Sequence, residues 1–183
     1  MELKLDEMKL EIEELTRIGH DHLANESSRE AAEVFHEAFQ ISKQVNDPHI
    51  NRGCRFNLGA CFVAIGNPSL GLRYLEEAIP PEHLDDGHEN FADLWYNIGV
   101  AQHALNDIDE AISAYKKANA TYKEMMIDHR LEAECLSKLA VCYHLKNDLS
   151  TSRDCYEKAQ VGPVLKRPMG FSNLPLPLTS RRM

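Results

Sequence analysis

The sequence predicts an all-α fold: a right-handed superhelical stack of four helical hairpins followed by a disordered C-terminal tail. Three observations predict it. Small and large residues recur with a period of about forty. Capping residues stand where that period would begin its helices. No segment shows the alternation of apolar and polar residues, rich in β-branched side chains, that a half-buried strand needs.

The period is read in four columns. Gly19, Gly59, Gly99 and Ala140 are separated by 40, 40 and 41 residues, and an apolar residue precedes each: Ile18, Leu58, Ile98 and Leu139. Twelve residues on come Ala31, Gly71, Ala111 and Ser152. Four further on come Phe35, Leu75, Tyr115 and Tyr156, and three beyond them Ala38, Ala78, Ala118 and Ala159. Small residues let two antiparallel helices approach, and large ones fill the space beside them.

Each element follows in order. Leu5, Met8, Ile12 and Leu15 step by three and four, which predicts a helix from Leu3 to Ala24. Ser27 with Glu30 reads as a capping box opening a helix from Ser28 to Asn46. Asp47-Pro48 and Asn67-Pro68 each pair an N-cap with a proline at the first helical position. They open helices from Pro48 to Ile65 and from Pro68 to Ile79. Pro80-Pro81 ends the latter early, so it should be the shortest second helix, with an irregular loop from Pro80 to Gly87. The third hairpin runs from Asn90 to Leu105, turns at Asn106 and Asp107, and continues from Ile108 to Asp128, with Asp107 and Glu110 at the second helix's start. The fourth runs from His129 to Lys146 and, capped by Asp148, from Leu149 to Gln160. Residues 3–160 thus form one repeat domain, with units at about 3–46, 48–79, 88–128 and 129–160. The tail, 161–183, carries Pro163, Pro168, Pro175 and Pro177 and too few apolar residues to repay ordering.

Composition excludes several classes. The chain has 183 residues and a formal net charge of −9. The tail holds Lys166, Arg167, Arg181 and Arg182 and no acid, so the repeats alone carry −13. An acidic body disfavours nucleic acid, whose phosphates need a basic face. The longest uncharged run, Asn57 to Leu72, is broken by Gly66, Asn67 and Pro68 and does not span a bilayer. The charged N-terminus does not read as a signal peptide. Five cysteines, an odd number, point to a reducing, cytoplasmic setting.

No catalytic constellation stands out. There is no Gly-rich phosphate loop, no His-Glu-x-x-His and no Gly-x-Ser-x-Gly. Cys54 and Cys61, like Cys135 and Cys142, are seven apart on first helices. Two turns separate each pair by about 10 Å, too far for a disulfide, and the positions suit packing. His83 and His88 flank Asp85 and Asp86, but four ordered zinc ligands at familiar spacings are missing. Neither enzyme activity nor a metal or cofactor is expected.

The stretch DLWYNIGVAQHALNDIDEAISAYKKA, from Asp93 to Ala118, resembles the tetratricopeptide repeat superfamily. Trp95, Ile98, Gly99, Ala111, Tyr115 and Ala118 fit that family's consensus, while Gln102 replaces an expected tyrosine. The long spacing is similar to the branch containing G-protein regulators with Leu-Gly-Asn-type repeats and kinesin light chains. The resemblance covers about residues 3–160. It implies a non-catalytic scaffold whose first helices line a concave groove for a partner protein or peptide.

On those helices the residue two before the glycine column is Arg17, Asn57, Asn97 and Lys138, and the residue three before it is Thr16, Phe56, Tyr96 and Ser137. Four after it come Leu23, Val63, His103 and His144. The groove set is therefore Arg17, Phe56, Asn57, Tyr96, Asn97, His103 and Lys138. Amide side chains at Asn57 and Asn97 offer a donor and an acceptor to a peptide backbone, or else to a neighbouring repeat. The carboxylate clamp of the family's chaperone-binding branch would fall on Thr16, His20, Asn57, Asp93 and Asn97; only the asparagines match, and Asp93 would repel a terminal carboxylate. A competing expectation is self-association through an uncapped last hairpin, whose Tyr156 and Ala159 face would seek a second subunit.

Overall fold

The computed structural model describes residues 2–81, 91–125 and 129–160. Eight helices run through them: α1 (Glu2–Ala24), α2 (Ser28–Ser42), α3 (Pro48–Ala64), α4 (Pro68–Glu76), α5 (Ala92–Ala104), α6 (Ile108–Met125), α7 (His129–Leu145) and α8 (Leu149–Gln160). None of the described residues lies in a strand. The irregular loop expected from Pro80, the His83–His88 segment and the tail fall largely or wholly outside the described residues.

The helices form two compact units, α1–α4 and α5–α8. In the first, α1 packs on α2, α2 on α3 and α3 on α4; in the second, α5 packs on α6, α6 on α7 and α7 on α8. Each unit is thus two hairpins, with the second helix of one laid on the first helix of the next. The first core gathers Ile12, Phe35, Phe39, Cys54, Leu58 and Cys61. The second gathers Ala111, Tyr115, Tyr122, Cys135, Leu139 and Cys142.

The column residues explain the close packing. A Cβ built on Gly19 would stand 2.5 Å from the Phe35 ring, and one on Gly99 would stand 2.7 Å from the Tyr115 ring. Where a large residue nests against a glycine it is sealed: Phe35 is 1% exposed, and Leu75 and Tyr115 are 0% exposed. In the last hairpin Ala140 stands in place of the glycine, and Tyr156 is 41% exposed.

All four hairpins turn the same way. Glu26, Gly66, Asn106 and Asn147, seven residues after each column position, have φ of 60°, 84°, 68° and 61°. The next residue's N–H returns to a carbonyl in the last turn of the first helix: Ser27 to His22, Asn67 to Phe62, Asp107 to Gln102 and Asp148 to Tyr143, at 2.8–2.9 Å. This left-handed closure satisfies carbonyls at each helix end.

The caps are less uniform than the sequence predicts. Asp47 accepts from the backbone of His49 and Ile50 at 3.0 and 3.3 Å, and Asn67 from Leu70 at 3.4 Å. Asp148 accepts from Thr151 at 3.1 Å. Ser27 makes no side-chain cap bond. Helix α2 stops at Ser42, short of Asn46, where single turns from Gln44 to Ile41 and from Val45 to Ser42 lead into Asp47-Pro48. At nine residues, α4 is the shortest helix among those described.

Candidate functional site

The groove residues fall on first helices, α1 and α3 in one unit and α5 and α7 in the other. In the first unit, Arg17 is exposed, but its guanidinium is occupied. It donates to Glu14 at 2.9 and 2.7 Å and to Asp21 at 2.7 Å, three residues back and four ahead on the same helix. These bonds hold the Glu14 carboxyl below its ordinary range. Phe56 is 9% exposed and Asn57 6%, so both face inward more than the column pattern implied. His20 lies edge-on to Phe35 at 5.3 Å, and burial pushes its pKa down.

In the second unit, α5 and α7 are tied directly. Tyr96 donates its hydroxyl to Glu134 at 2.6 Å, and burial together with that carboxylate raises the phenol's pKa. The Tyr96 ring also leans on Tyr115, with centroids 5.8 Å apart. Asn97 is half-buried and donates its amide to the Asp93 carbonyl, one turn back, at 2.8 Å. That bond commits one of the two amide donors of Asn97 to its own helix and leaves the other donor and the carbonyl oxygen to offer a partner.

His103 and Lys138 are different. Both are half-buried. Desolvation first, and the Lys138 charge second, push the His103 pKa down, so the imidazole is neutral at neutral pH. Lys138 makes no ion pair among the described residues. Other cations are engaged: Lys146 with Asp109, Lys117 over the Trp95 ring at 3.9 Å, and Lys116 over Tyr143 at 5.5 Å. Among the described residues, the face of α5 and α7 therefore carries Lys138 without an ion pair near His103, whose pKa its charge helps to lower.

The five cysteines are buried and unbridged. Burial pushes the thiols of Cys54, Cys61 and Cys135 up to about 11, 12 and 12. Such thiols are not nucleophiles at neutral pH. Cys135 instead donates to the Tyr115 carbonyl at 2.9 Å, as a packing residue of α7 against α6. No group of three or more His, Cys, Asp or Glu among the described residues is placed to hold a metal. No helix of the described residues is long and apolar enough to cross a membrane.

Sequence reasoning missed the engagements. Arg17 with Glu14 and Asp21 was visible as i−3 and i+4 spacing. Tyr96 with Glu134, 38 residues apart, carried no local signal.

Residues 90–160 match a family model described as Tetratricopeptide repeat. Solved structures agree in fold. BtubC (BKLC) from P. vanneervenii is 19% identical, with 89% of this chain and 70% of that chain covered and a TM-score of 0.74. MamA is 18% identical, with 82% and 77% covered and a TM-score of 0.62. A Podosopora anserina putative kinesin light chain with nearly identical repeats is 15% identical, with 82% and 74% covered and a TM-score of 0.62.

Proposed function

We propose that this tetratricopeptide repeat chain works as a non-catalytic scaffold or adaptor that holds a segment of a partner protein along its first helices. A stack of helical hairpins offers an extended surface and does not converge polar groups on a reacting atom. The proposed groove residues are Arg17, Phe56 and Asn57 in the first unit and Tyr96, Asn97, His103 and Lys138 in the second. The observation that carries the reading is Lys138, a half-buried residue that makes no ion pair among the described residues and whose charge acts on His103, on the α5–α7 face. A cation left without an ion pair in so acidic a chain adds little to stability and is a good contact for an incoming acidic group. The reading includes a cytoplasmic setting, supported by five unbridged cysteines. The proposal also reads the segment Arg55–Glu82 as similar to tetratricopeptide repeat protein 24, a likeness that adds no partner.

A photo-crosslinking amino acid placed at Val100, between Tyr96 and His103, tests this. Adducts with a partner should form from Val100 and not from Ser113, which is exposed on α6. Equal adducts from both positions would mean that the α5–α7 face has no special role.

Self-association through the last hairpin is the competing reading. Leu149 and Tyr156, 54% and 41% exposed on α8, support it. Arg153 and Gln160, exposed on the same helix, oppose it. Size-exclusion chromatography with light scattering separates the two: a mass that doubles with concentration and reverts in Tyr156→Ser favours self-association.

A further inference from the structure

Helix α7 carries two opposite charges one turn apart, Glu134 and Lys138, and both act on residues of α5. A glutamate four residues ahead of a lysine has the spacing and the order that favour an ion pair within one helix. That pair is not made. Glu134 instead accepts the Tyr96 hydroxyl of α5 at 2.6 Å. Lys138 makes no ion pair among the described residues. Its charge acts on His103 of α5 and on Cys142, one turn further along α7. The Glu134 charge acts on Tyr96, Tyr115 and Cys135. The two charges thus have separate surroundings.

Tyr96 is built to keep them apart. Its half-buried ring leans on Tyr115, with centroids 5.8 Å apart. Tyr115 is 0% exposed and nests against Gly99, so the surface under Tyr96 is fixed. A bond from a packed phenol to Glu134 orders one long side chain, whereas a pair between Glu134 and Lys138 would order two. The phenol–carboxylate bond is also charge-assisted. Thr16, Phe56 and Ser137 stand at the Tyr96 position of the other first helices, and none carries a phenol.

We propose that Tyr96 is a positioning residue that draws Glu134 away from Lys138 and so keeps the lysine open to an acidic side chain of a partner segment. This rests on the groove reading above and gives the partner a chemistry, a carboxylate. In a chain with a net charge of −9, a cation withheld from its nearest carboxylate is the contact an acidic segment would find. Without the phenol, Glu134 would turn to Lys138 and close the site from within.

The test uses the full chain and reads His103 by NMR titration, which needs no partner. The Lys138 charge helps to hold the His103 pKa down. In Tyr96→Phe, Glu134 neutralises that charge, so the His103 pKa should rise. In Tyr96→Phe/Glu134→Gln it should return to the wild-type value or below. The proposal is overturned if His103 titrates alike in wild type and Tyr96→Phe, or if the rise persists in the double variant. The second arm adds acetyl-tetraglutamate amide as the acidic probe, with the tetraglutamine peptide as its control. Amide signals of His103 and Lys138 should move with the glutamate peptide alone, and Tyr96→Phe should need about twofold more of it, the cost of a competing pair within the helix. Equal movement with both peptides, or equal demand in wild type and Tyr96→Phe, overturns the proposal. Adducts from Val100 judge the groove reading separately. Should Tyr96→Phe lose helical signal, the wild type is treated with carbodiimide and glycinamide. A Glu134–Lys138 lactam then overturns the proposal, and glycinamide on Glu134 without that lactam supports it.

Discussion

Tyr122, in the last turns of α6, donates its phenolic hydrogen bond to the carboxylate of Asp93, in the first turn of α5. Asp93 is 6% exposed and Tyr122 7%. The bond closes the end of the hairpin opposite its turn at Asn106. Burial holds the Asp93 carboxyl above its ordinary value of 3.8, opposed by the Tyr122 hydrogen bond, and raises the Tyr122 phenol as well.

Tyr122→Phe should therefore destabilise the chain by about 1–3 kcal/mol, because it leaves a buried carboxylate without this donor. Asp93→Asn keeps an acceptor and removes the buried charge, so its loss should be smaller. The pH dependence has a definite sign. A carboxyl whose folded pKa is raised binds its proton more tightly when folded, so its burial penalty is greatest above that pKa. It fades as pH falls through the raised value toward 3.8. Wild type should gain stability relative to Asp93→Asn on acidification, read from urea midpoints at neutral pH and near 5. A wild type that loses stability relative to Asp93→Asn between neutral pH and about 5 would refute the assignment.

Glu26→Gly should stabilise the chain. Glu26 holds φ of 60° in the first hairpin turn, where the second hairpin uses Gly66 at 84°. A side chain in that left-handed region costs about 1–2 kcal/mol that glycine avoids, partly offset by glycine's greater freedom when unfolded. A rise in urea midpoint worth about 0.5–1 kcal/mol is expected; a fall would show that the Glu26 side chain has a compensating contact.

The fold was largely legible because the repeat supplies four readings of one pattern. Gly19, Gly59 and Gly99 marked the close approaches, and Asp47-Pro48 and Asn67-Pro68 marked helix starts. Helix ends were blurred: Ser42 and Glu76 end α2 and α4 before the residues read from the sequence, since single turns continue the apolar spacing without continuing the helix. Ser27 looked like a cap, but its backbone N–H is tied to His22 by the turn and its hydroxyl makes no cap bond. The site was legible as columns, not as states. Whether Tyr96 and Asn97 were available to a partner depended on Glu134 and the Asp93 carbonyl, and the first of these lies in another hairpin.

Gly71→Ala should cost about 1–3 kcal/mol through overpacking. A Cβ there would stand 2.8 Å from the Gly59 carbonyl oxygen and 2.5 Å from a Val63 methyl, so α3 and α4 would have to part. In the fourth hairpin the corresponding Ser152 instead donates its hydroxyl to the Ala140 carbonyl at 2.8 Å. Ser152→Ala should cost about 1 kcal/mol through that lost bond alone. Thermal melts of both variants check this; a Gly71→Ala protein as stable as wild type would mean that the helices have slack the glycine does not use.

Within the proposed groove, Lys138 should matter more than Asn97. Lys138 has no ion partner among the described residues to give up, and a hydrogen bond to its charge would be worth about 1.5–3 kcal/mol. Asn97 already spends an amide donor on the Asp93 carbonyl, and Asn57 is 6% exposed. Against a partner segment recovered by crosslinking from Val100, Lys138→Ala should weaken binding roughly tenfold or more, since about 1.4 kcal/mol is a factor of ten. Asn97→Ala and Asn57→Ala should each change affinity by less. Titration calorimetry on the three variants, with melting temperatures measured alongside, ranks them. If Asn57→Ala and Asn97→Ala weaken binding while Lys138→Ala does not, the groove works through backbone grips and the unpaired lysine is incidental. If all three bind as wild type does, the contact surface lies elsewhere on the repeats.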